Sequence, residues 1–239
     1  MVKPYKELDN GKKAQVALMF DNIAHKYDFL NHFLSFGIDK SWRKRSVKEM
    51  KKKSPCDILD VATGTGDFVL ESVKLNPRYI VGVDISTGML MKGREKVSAR
   101  NLDHLISLQE GDSENLEFGN NSFDAVTVGF GVRNFENLGQ GLSEIRRVLR
   151  PGGATYILEF SKPSKFPMKQ FYYFYSFRVM PFLGRFFSKD ASAYTYLPES
   201  IREFPAGEDF LFELKNAGFV RVKAFPLTFG IATLYVGEK

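Results

Sequence analysis

The sequence predicts an α/β fold built on a largely parallel sheet whose last strand runs antiparallel. Three observations carry that expectation. Strand-like apolar runs alternate with helical segments over most of the chain. The first run ends in a glycine turn, Ala62-Thr63-Gly64-Thr65-Gly66, that leads into a helix. The last two runs lie close enough in sequence to form a hairpin.

The elements follow in order. Mixed apolar and polar spacing over residues 12–34 suits one or two helices, broken at Gly37. Lys51 to Lys53 with Ser54-Pro55 form a polar connector. Strands are predicted at 57–61, 79–83, 105–109, 123–128 and 154–160, with helices at 67–75, 86–99 and 138–149 between most of them. Leu149-Arg150-Pro151-Gly152-Gly153 reads as a helix stop followed by a turn. Strands alternating with helices build right-handed βαβ units. After the fifth strand the rhythm breaks over 162–205, a stretch rich in aromatics and prolines. It resumes with a helix at 207–217 and strands at 219–225 and 229–236, which brings the sheet to seven strands. The expected organisation is one domain over 1–239: a helical cap (1–53), a ligand-binding core (54–161), an insertion (162–205) and a closing helix and hairpin (206–239).

Bulk composition narrows the class. A chain of 239 residues buries a sizeable core, and 44% apolar with 26% charged residues is ordinary for a globular protein. The net charge of +6 points to an anionic partner, a membrane surface or a nucleic acid. A single cysteine, Cys56, excludes an intramolecular disulfide and a cysteine-based zinc site, and suits a reducing cytoplasm. The opening MVKPYKELDNGKK has no apolar core, so no signal peptide is expected. Nowhere do roughly eighteen apolar residues run without a charge, so no transmembrane helix is expected either. The expectation is a cytoplasmic protein.

The glycine turn sits where open α/β sheets bind nucleotides. A dinucleotide fingerprint would place its third glycine at 69, where the chain has Val69, and Asp67 at the helix start would repel a phosphate. Asp84 and Ile85 end the second strand, with the carboxylate placed for a ribose diol. Asp112 and Ser113 follow the third strand, offering Asp112 to an adenine amino group. The ligand implied is a nucleoside without phosphates that carries positive charge near acidic side chains, and S-adenosylmethionine fits. Asp60 and Asp67 are expected at its methionine end, with helix capping as the alternative for Asp67. His25, His32 and His104 read as ordinary polar positions, and no cluster has metal-ligand spacing.

Asp60-Val61-Ala62-Thr63-Gly64-Thr65-Gly66 resembles the first motif of class I S-adenosylmethionine-dependent methyltransferases, whose Rossmann-like fold has the sheet described above. Two longer segments, YDFLNHFLSFGIDKSW (27–42) and RVLRPGGATYILEFS (147–161), resemble signatures of the ubiquinone/menaquinone-biosynthesis C-methyltransferases. GFGVRN (129–134), YLPESI (196–201) and the closing LTFGIATLYVG are similar to the same family, and the likeness runs from about residue 14 to the end. Four positions depart from it. Leu30 stands where methionine is frequent, Asp39 where histidine is common, Arg150 where lysine is frequent, and Gly129 where better-known members carry a serine beside the cofactor.

The resemblance implies S-adenosylmethionine-dependent methylation of a ring carbon of a prenylated hydroquinone, demethylmenaquinol to menaquinol. The ubiquinone precursor, a methoxy-benzoquinol, is the alternative substrate, alone or in a dual-specificity enzyme that accepts both. A non-catalytic scaffold subunit is the alternative class, which the intact glycine turn and Asp84 oppose. It places Asp60, Gly64, Thr65, Gly66, Asp84, Ile85, Asp112, Ser113 and Gly129 around the cofactor. A phenol with pKa near ~10 must lose its proton to activate the ring. Arg133 is the candidate to stabilise the phenolate, Asn134 to hold a ring oxygen or water, and Tyr27 to pack over the cofactor and relay a proton.

The stretch from Phe166 to Phe187 remains to be placed. It has no acidic residue, and on a helix Phe171, Phe174, Tyr175 and Phe182 fall near one face, interrupted by Arg178. Contact with a prenyl tail, transient contact with a membrane surface, or burial in the core or a homodimer interface are the readings of that face. No RNA-binding motif accompanies it, so no nucleic-acid partner is expected.

Overall fold

The computed structural model describes residues 2–5, 7–163, 165–175, 178 and 192–239, without the side chains of 30–34 and 194. Phe182 and most of the aromatic stretch beyond Tyr175 therefore lie outside the described residues, as do the side chains of Leu30 and His32.

Seven strands form one sheet: β1 (Asp57–Val61), β2 (Tyr79–Asp84), β3 (Ile106–Glu110), β4 (Phe123–Gly129), β5 (Leu149–Phe160), β6 (Val220–Leu227) and β7 (Ala232–Glu238). Their order is β3-β2-β1-β4-β5-β7-β6. The first five run parallel, and β7 lies antiparallel between β5 and β6, pairing Leu158 with Leu234 and Phe225 with Leu234. The strand order reverses between β1 and β4, so a crevice opens beyond their carboxyl ends. That crevice is where the glycine turn and the GFGVRN segment meet.

Helices described are α1 (Lys12–Leu34), α2 (Ile38–Met50), α3 (Asp67–Ser72), α4 (Thr87–Ser98), α5 (Leu138–Val148), α6 (Met168–Phe174), α7 (Ser192–Glu203) and α8 (Glu208–Asn216). Two helix starts carry the side-chain caps that favour them: Ser86 accepts the Met89 N–H at 3.2 Å and Asn137 accepts that of Gln140 at 3.1 Å. Gly37, with φ of 72°, joins α1 to α2 where a side chain would be strained.

The sheet is buried on both faces, as a largely parallel sheet requires. Leu59, Val61, Val126 and Ile157 pack against Leu142 and Ile145 of α5 and Phe210 and Leu214 of α8. Ile58, Ile80, Ala125 and Leu158 pack on the other side against Trp42, Val47 and Met50 of α2 and Leu90 and Val97 of α4. Adjacent residues of β1 thus serve opposite cores.

One local expectation differs. The turn read at 149–153 is a bulge inside β5: Leu149 already pairs with Phe123, and the ladder resumes at Ala154 opposite Ala125. Pro151 lacks a ladder donor and Gly152 sits at φ of 80°, so the chain bulges between the two pairings instead of ending the strand.

Candidate active site

Two adjoining cavities lie beyond the carboxyl ends of β1 and β4, and Phe20, Tyr27 and Phe130 line both. The first is the more polar of the two and is built from the strand-end loops. Ala62, Gly64 and Gly66 hold left-handed backbones, with φ of 54°, 56° and 78°, which folds the turn tightly back before α3. Across it, a Cβ placed on Gly131 would lie 2.5 Å from that of Ala62, so only glycine lets the two loops approach.

Asp84 lies at the base of this cavity. Its Oδ2 accepts the Gly64 N–H at 2.7 Å and its Oδ1 the Ser86 N–H at 2.9 Å. Burial pushes its pKa up to about 6, against the pull of those backbone donors. Asp112, Glu114 and Glu136 line the same cavity. Its lysine, Lys13, is held by Asp112 at 2.7 Å and Glu114 at 3.2 Å. This donor set suits a cationic nucleoside and opposes a phosphate, which is the chemistry of S-adenosylmethionine.

Helix α1 lies across these loops. Asp21 accepts the Ser86 hydroxyl at 2.6 Å and the Gly88 N–H at 2.9 Å. Asp28 accepts the Thr65 hydroxyl at 2.5 Å and the Lys96 ammonium at 2.8 Å. Lys12, at the head of α1, donates to the carbonyls of Arg133 at 3.0 Å and Phe135 at 2.7 Å. Burial, with the Arg133 cation adding to it, pushes Lys12 down to about 8.

The second cavity, about 240 Å³, is largely apolar. Its walls come from α1, α2, α6, α7 and the loop after β4, including Met19, Trp42, Phe160, Tyr172 and Ile201. Arg133 brings charge to it. The side chain is 7% exposed; Nη1 pairs with Glu159 Oε1 at 3.0 Å and also donates to the Phe130 carbonyl. The guanidinium lies 5.5 Å from the Phe160 ring centroid, and Nε is buried without a hydrogen-bond partner among the described residues. Burial pushes the Glu159 carboxyl up, while the Arg133 charge beside it opposes that shift. Asn134 lines the first cavity, its Oδ1 accepting the Tyr196 hydroxyl at 3.1 Å. Burial pushes Tyr196 up to about 12, so it remains a donor. Tyr27 stands on the shared wall, edge-on to Phe20 at 5.9 Å.

The structure therefore brings Gly64, Asp84, Ile85, Asp112, Ser113, Gly129 and Asn134 to one cavity, and Arg133 and Tyr27 to the other, with Tyr27 on both. Asp60, Thr65 and Gly66 are not on either wall. Asp60 sits beneath the turn, its oxygens accepting the hydroxyls of Thr63 at 2.7 Å and Thr127 at 2.5 Å. Burial pushes it up to about 7. Asp67 pairs with Lys96 at 2.5 Å and Arg43 at 3.2 Å and lines neither cavity. Gly129 lets the end of β4 approach Phe68, whose ring lies 3.0 Å from where its Cβ would stand. His25 and His104 are exposed, and no metal-binding cluster occurs among the described residues.

Sequence reasoning missed Glu159, Tyr196 and Lys12. Glu159 had a signal: it is the lone charge in the strand-like run ATYILEF. Lys12 had none, because its partners lie more than a hundred residues away.

The fold matches solved methyltransferases. An S-adenosylmethionine-dependent methyltransferase from Thermotoga maritima superposes with a TM-score of 0.65 at 18% identity, over 93% of this chain and 99% of that one. In sequence, the demethylmenaquinone methyltransferase of Bacteroides fragilis is 51% identical over 239 residues, all of this chain and 97% of that protein. The ubiquinone/menaquinone biosynthesis C-methyltransferase of Geotalea daltonii is 46% identical over 237 residues, 98% of this chain and all of that protein. The profile of the ubiE/COQ5 methyltransferase family matches residues 8–239. The chain belongs to the ubiE/COQ5 methyltransferase family and is an S-adenosylmethionine-dependent methyltransferase.

Proposed function

We propose that this enzyme methylates a ring carbon of a prenylated hydroquinone, converting demethylmenaquinol to menaquinol. The observation that carries the reading is the shared wall: an anionic, glycine-lined cavity opens across Phe20, Tyr27 and Phe130 onto an aromatic one. A polar cofactor and a greasy acceptor would meet there. Full-length similarity to demethylmenaquinone methyltransferases supports the same substrate class.

S-adenosylmethionine, when bound, supplies an electrophilic methyl on a sulfonium. Asp84 would accept the ribose hydroxyls, Ile85 and Met89 would pack the base, and the loop at Asp112-Ser113 would border it. Arg133, fixed by Glu159 and Phe130, would face the acceptor's phenolic oxygen and favour its ionised form, which makes the adjacent ring carbon nucleophilic. Asn134, oriented by Tyr196, would present its amide N–H to that oxygen or a water. Once the new carbon–carbon bond forms, the ring carbon sheds its proton and aromaticity returns, while the phenolic oxygen recovers a proton from solvent.

The mouth of the apolar cavity suits an acceptor that lives in a bilayer. Phe36 and Phe171 line the cavity, and with Phe166 and Phe174 they are 62–82% exposed. On α6 the buried ring is Tyr172, while the exposed Phe171 stacks on the half-buried Tyr175 at 6.5 Å. Lys162, Lys165, Lys169 and Arg178 are exposed around these rings. Each cation contributes about 1 kcal/mol at an anionic surface, and aromatics settle among headgroups. Among the described residues no helix is long and apolar enough to cross a membrane, so the proposal is transient surface contact.

The test is methyl transfer to two reduced acceptors, a short-chain demethylmenaquinol and the methoxy-benzoquinol. A higher kcat/KM for the first supports the reading. Preference for the second transfers it to the ubiquinone branch, and transfer to neither overturns it.

A further inference from the structure

Lys12 is a buried cation that no step of the proposed reaction uses. It stands at the head of α1 and is 7% exposed. Taking an ammonium out of water is costly unless its donors find partners, and here they do. Nζ donates to the Arg133 carbonyl at 3.0 Å and to the Phe135 carbonyl at 2.7 Å. Both carbonyls lie at the end of the single 3₁₀ turn Val132–Asn134, where a helix has no donors of its own left. The Arg133 carbonyl belongs to the peptide unit that joins Arg133 to Asn134. The N–H of that unit donates to the Gly131 carbonyl at 2.9 Å. The peptide plane is therefore held at both edges, and a rotation of it would re-aim both side chains. On the other flank of Arg133, its own N–H is held by Glu159 at 3.2 Å.

We infer that Lys12 is a positioning residue for the methyl transfer: from α1 it sets the peptide that carries Arg133 to the apolar cavity and Asn134 to the first one. The inference rests on the roles proposed for Arg133 and Asn134 toward the phenolic oxygen. Lys12 lines neither cavity, so it acts through those two residues and not on the acceptor. The tie is doubled at the backbone, where Glu136 Oε1 accepts the Lys12 N–H at 2.8 Å. Glu114 in turn accepts the Glu136 N–H at 2.7 Å. The charged groups that face the ammonium are Arg133 and Glu136 from the loop after β4 and Glu114 from the loop after β3. Lys13, its neighbour on α1, is bound to Asp112 and Glu114. Burial, then the Arg133 charge, lower Lys12 to about 8, and the two glutamates oppose that shift. The ammonium is thus present below about pH 8 and lost above it, where its charge-assisted bonds to two carbonyls become weaker, ordinary ones.

The experiment reads rate, cofactor affinity and pH dependence in the full-length enzyme. Lys12→Met keeps the length of the side chain and removes its charge and donors. Its kcat on a short-chain demethylmenaquinol should fall about 10-fold or more, with cofactor Kd changed by less than about 3-fold. In an Arg133→Ala background the same substitution should cost less than about 3-fold, because the main group it positions is gone. Wild-type kcat should fall as pH rises through about 8. In Lys12→Arg, whose cation does not titrate in this range, that fall should be absent up to about pH 10. This arm stands even if the methionine variant does not fold. A Lys12→Met kcat within about 3-fold of wild type overturns the inference, as do equal costs in the two backgrounds and a pH profile that Lys12→Arg leaves unchanged. The sole tryptophan, Trp42, lies 5.9 Å from the ring of Phe130 in the same loop and reports on the tie without turnover. Its emission should shift near pH 8 in wild type and not in Lys12→Arg, and a shift alike in both overturns the inference. The expected emission result with no methyl transfer to any hydroquinone keeps Lys12 as the residue that sets this loop and overturns the proposed reaction instead.

Discussion

Glu159 grips Arg133 twice: Oε1 pairs with the guanidinium at 3.0 Å, and Oε2 accepts the Arg133 backbone N–H at 3.2 Å. The carboxylate is fully buried on β5, so the arginine proposed to face the acceptor is fixed by the sheet as well as by the Phe130 carbonyl of its own loop. Replacing Arg133 should then affect chemistry and the loop differently. Arg133→Ala is expected to lower kcat by 100-fold or more, on the order of 3 kcal/mol of phenolate stabilisation, with cofactor affinity changed by less than about 3-fold. Equal loss of both, read by turnover and cofactor titration, would assign Arg133 to loop structure.

Glu159→Gln keeps the shape and one acceptor but removes the countercharge. The guanidinium remains beside Phe160 without its partner, so a smaller fall in kcat is expected, about 5- to 30-fold, with a loss of stability of roughly 3 kcal/mol. Thermal melts alongside rates check both halves; a variant that melts lower and turns over normally would confine Glu159 to folding.

Asp84 is the proposed cofactor ligand with the most direct geometry. Asp84→Asn removes the charge that ribose hydroxyls would meet while keeping one acceptor for the Gly64 or Ser86 N–H. Cofactor Kd is expected to rise about 10- to 100-fold, with kcat at saturating cofactor changed much less. Calorimetric titration measures this, and an unchanged Kd would remove Asp84 from the binding set.

Asp60 gives a pH prediction. Its folded pKa, near 7, stands above its ordinary 3.8, so the folded state binds a proton that the unfolded chain has released. Stability from this group is therefore present below about pH 4 and lost as pH rises towards 7, by roughly 1.4 kcal/mol per unit of displacement. Asp60→Asn can still serve both threonine hydroxyls, and it should remove that decline. Denaturant unfolding between pH 4 and 8 would show a steeper fall for wild type; parallel curves would contradict it.

At the cavity mouth, charge reversal tests membrane contact apart from catalysis. Lys165→Glu with Lys169→Glu should weaken binding to vesicles containing anionic lipid by about 30-fold or more, at roughly 1 kcal/mol for each cation lost. Turnover on a water-soluble short-chain quinol should be unchanged. Sedimentation with vesicles reads the first, and equal binding by both proteins would place the contact elsewhere.

The fold was legible because strands and helices have different periods, and three βαβ crossovers leave few topologies. The three strand-end loops come together at one cavity for the same reason: their position follows from chain order. Side-chain direction was less legible. Asp60 lies one residue before the end of β1 and Asp84 ends β2, yet the turn at Ala62 to Gly66 covers Asp60 and leaves Asp84 facing the cavity. The bulge at 150–153 hid because Pro-Gly-Gly also spells a turn. Helix α1 was legible as a helix, but its grip on the loops through Asp21, Asp28 and Lys12 depends on partners brought together only by the fold.

The most direct measurement of the central claim is the position of the transferred methyl. Purified enzyme is incubated with methyl-labelled S-adenosylmethionine and a short-chain demethylmenaquinol, and the product is analysed by mass spectrometry and carbon NMR. One label on the ring carbon beside the prenyl-bearing position is the expected result. A label on oxygen, or no transfer while cofactor still binds, would contradict it.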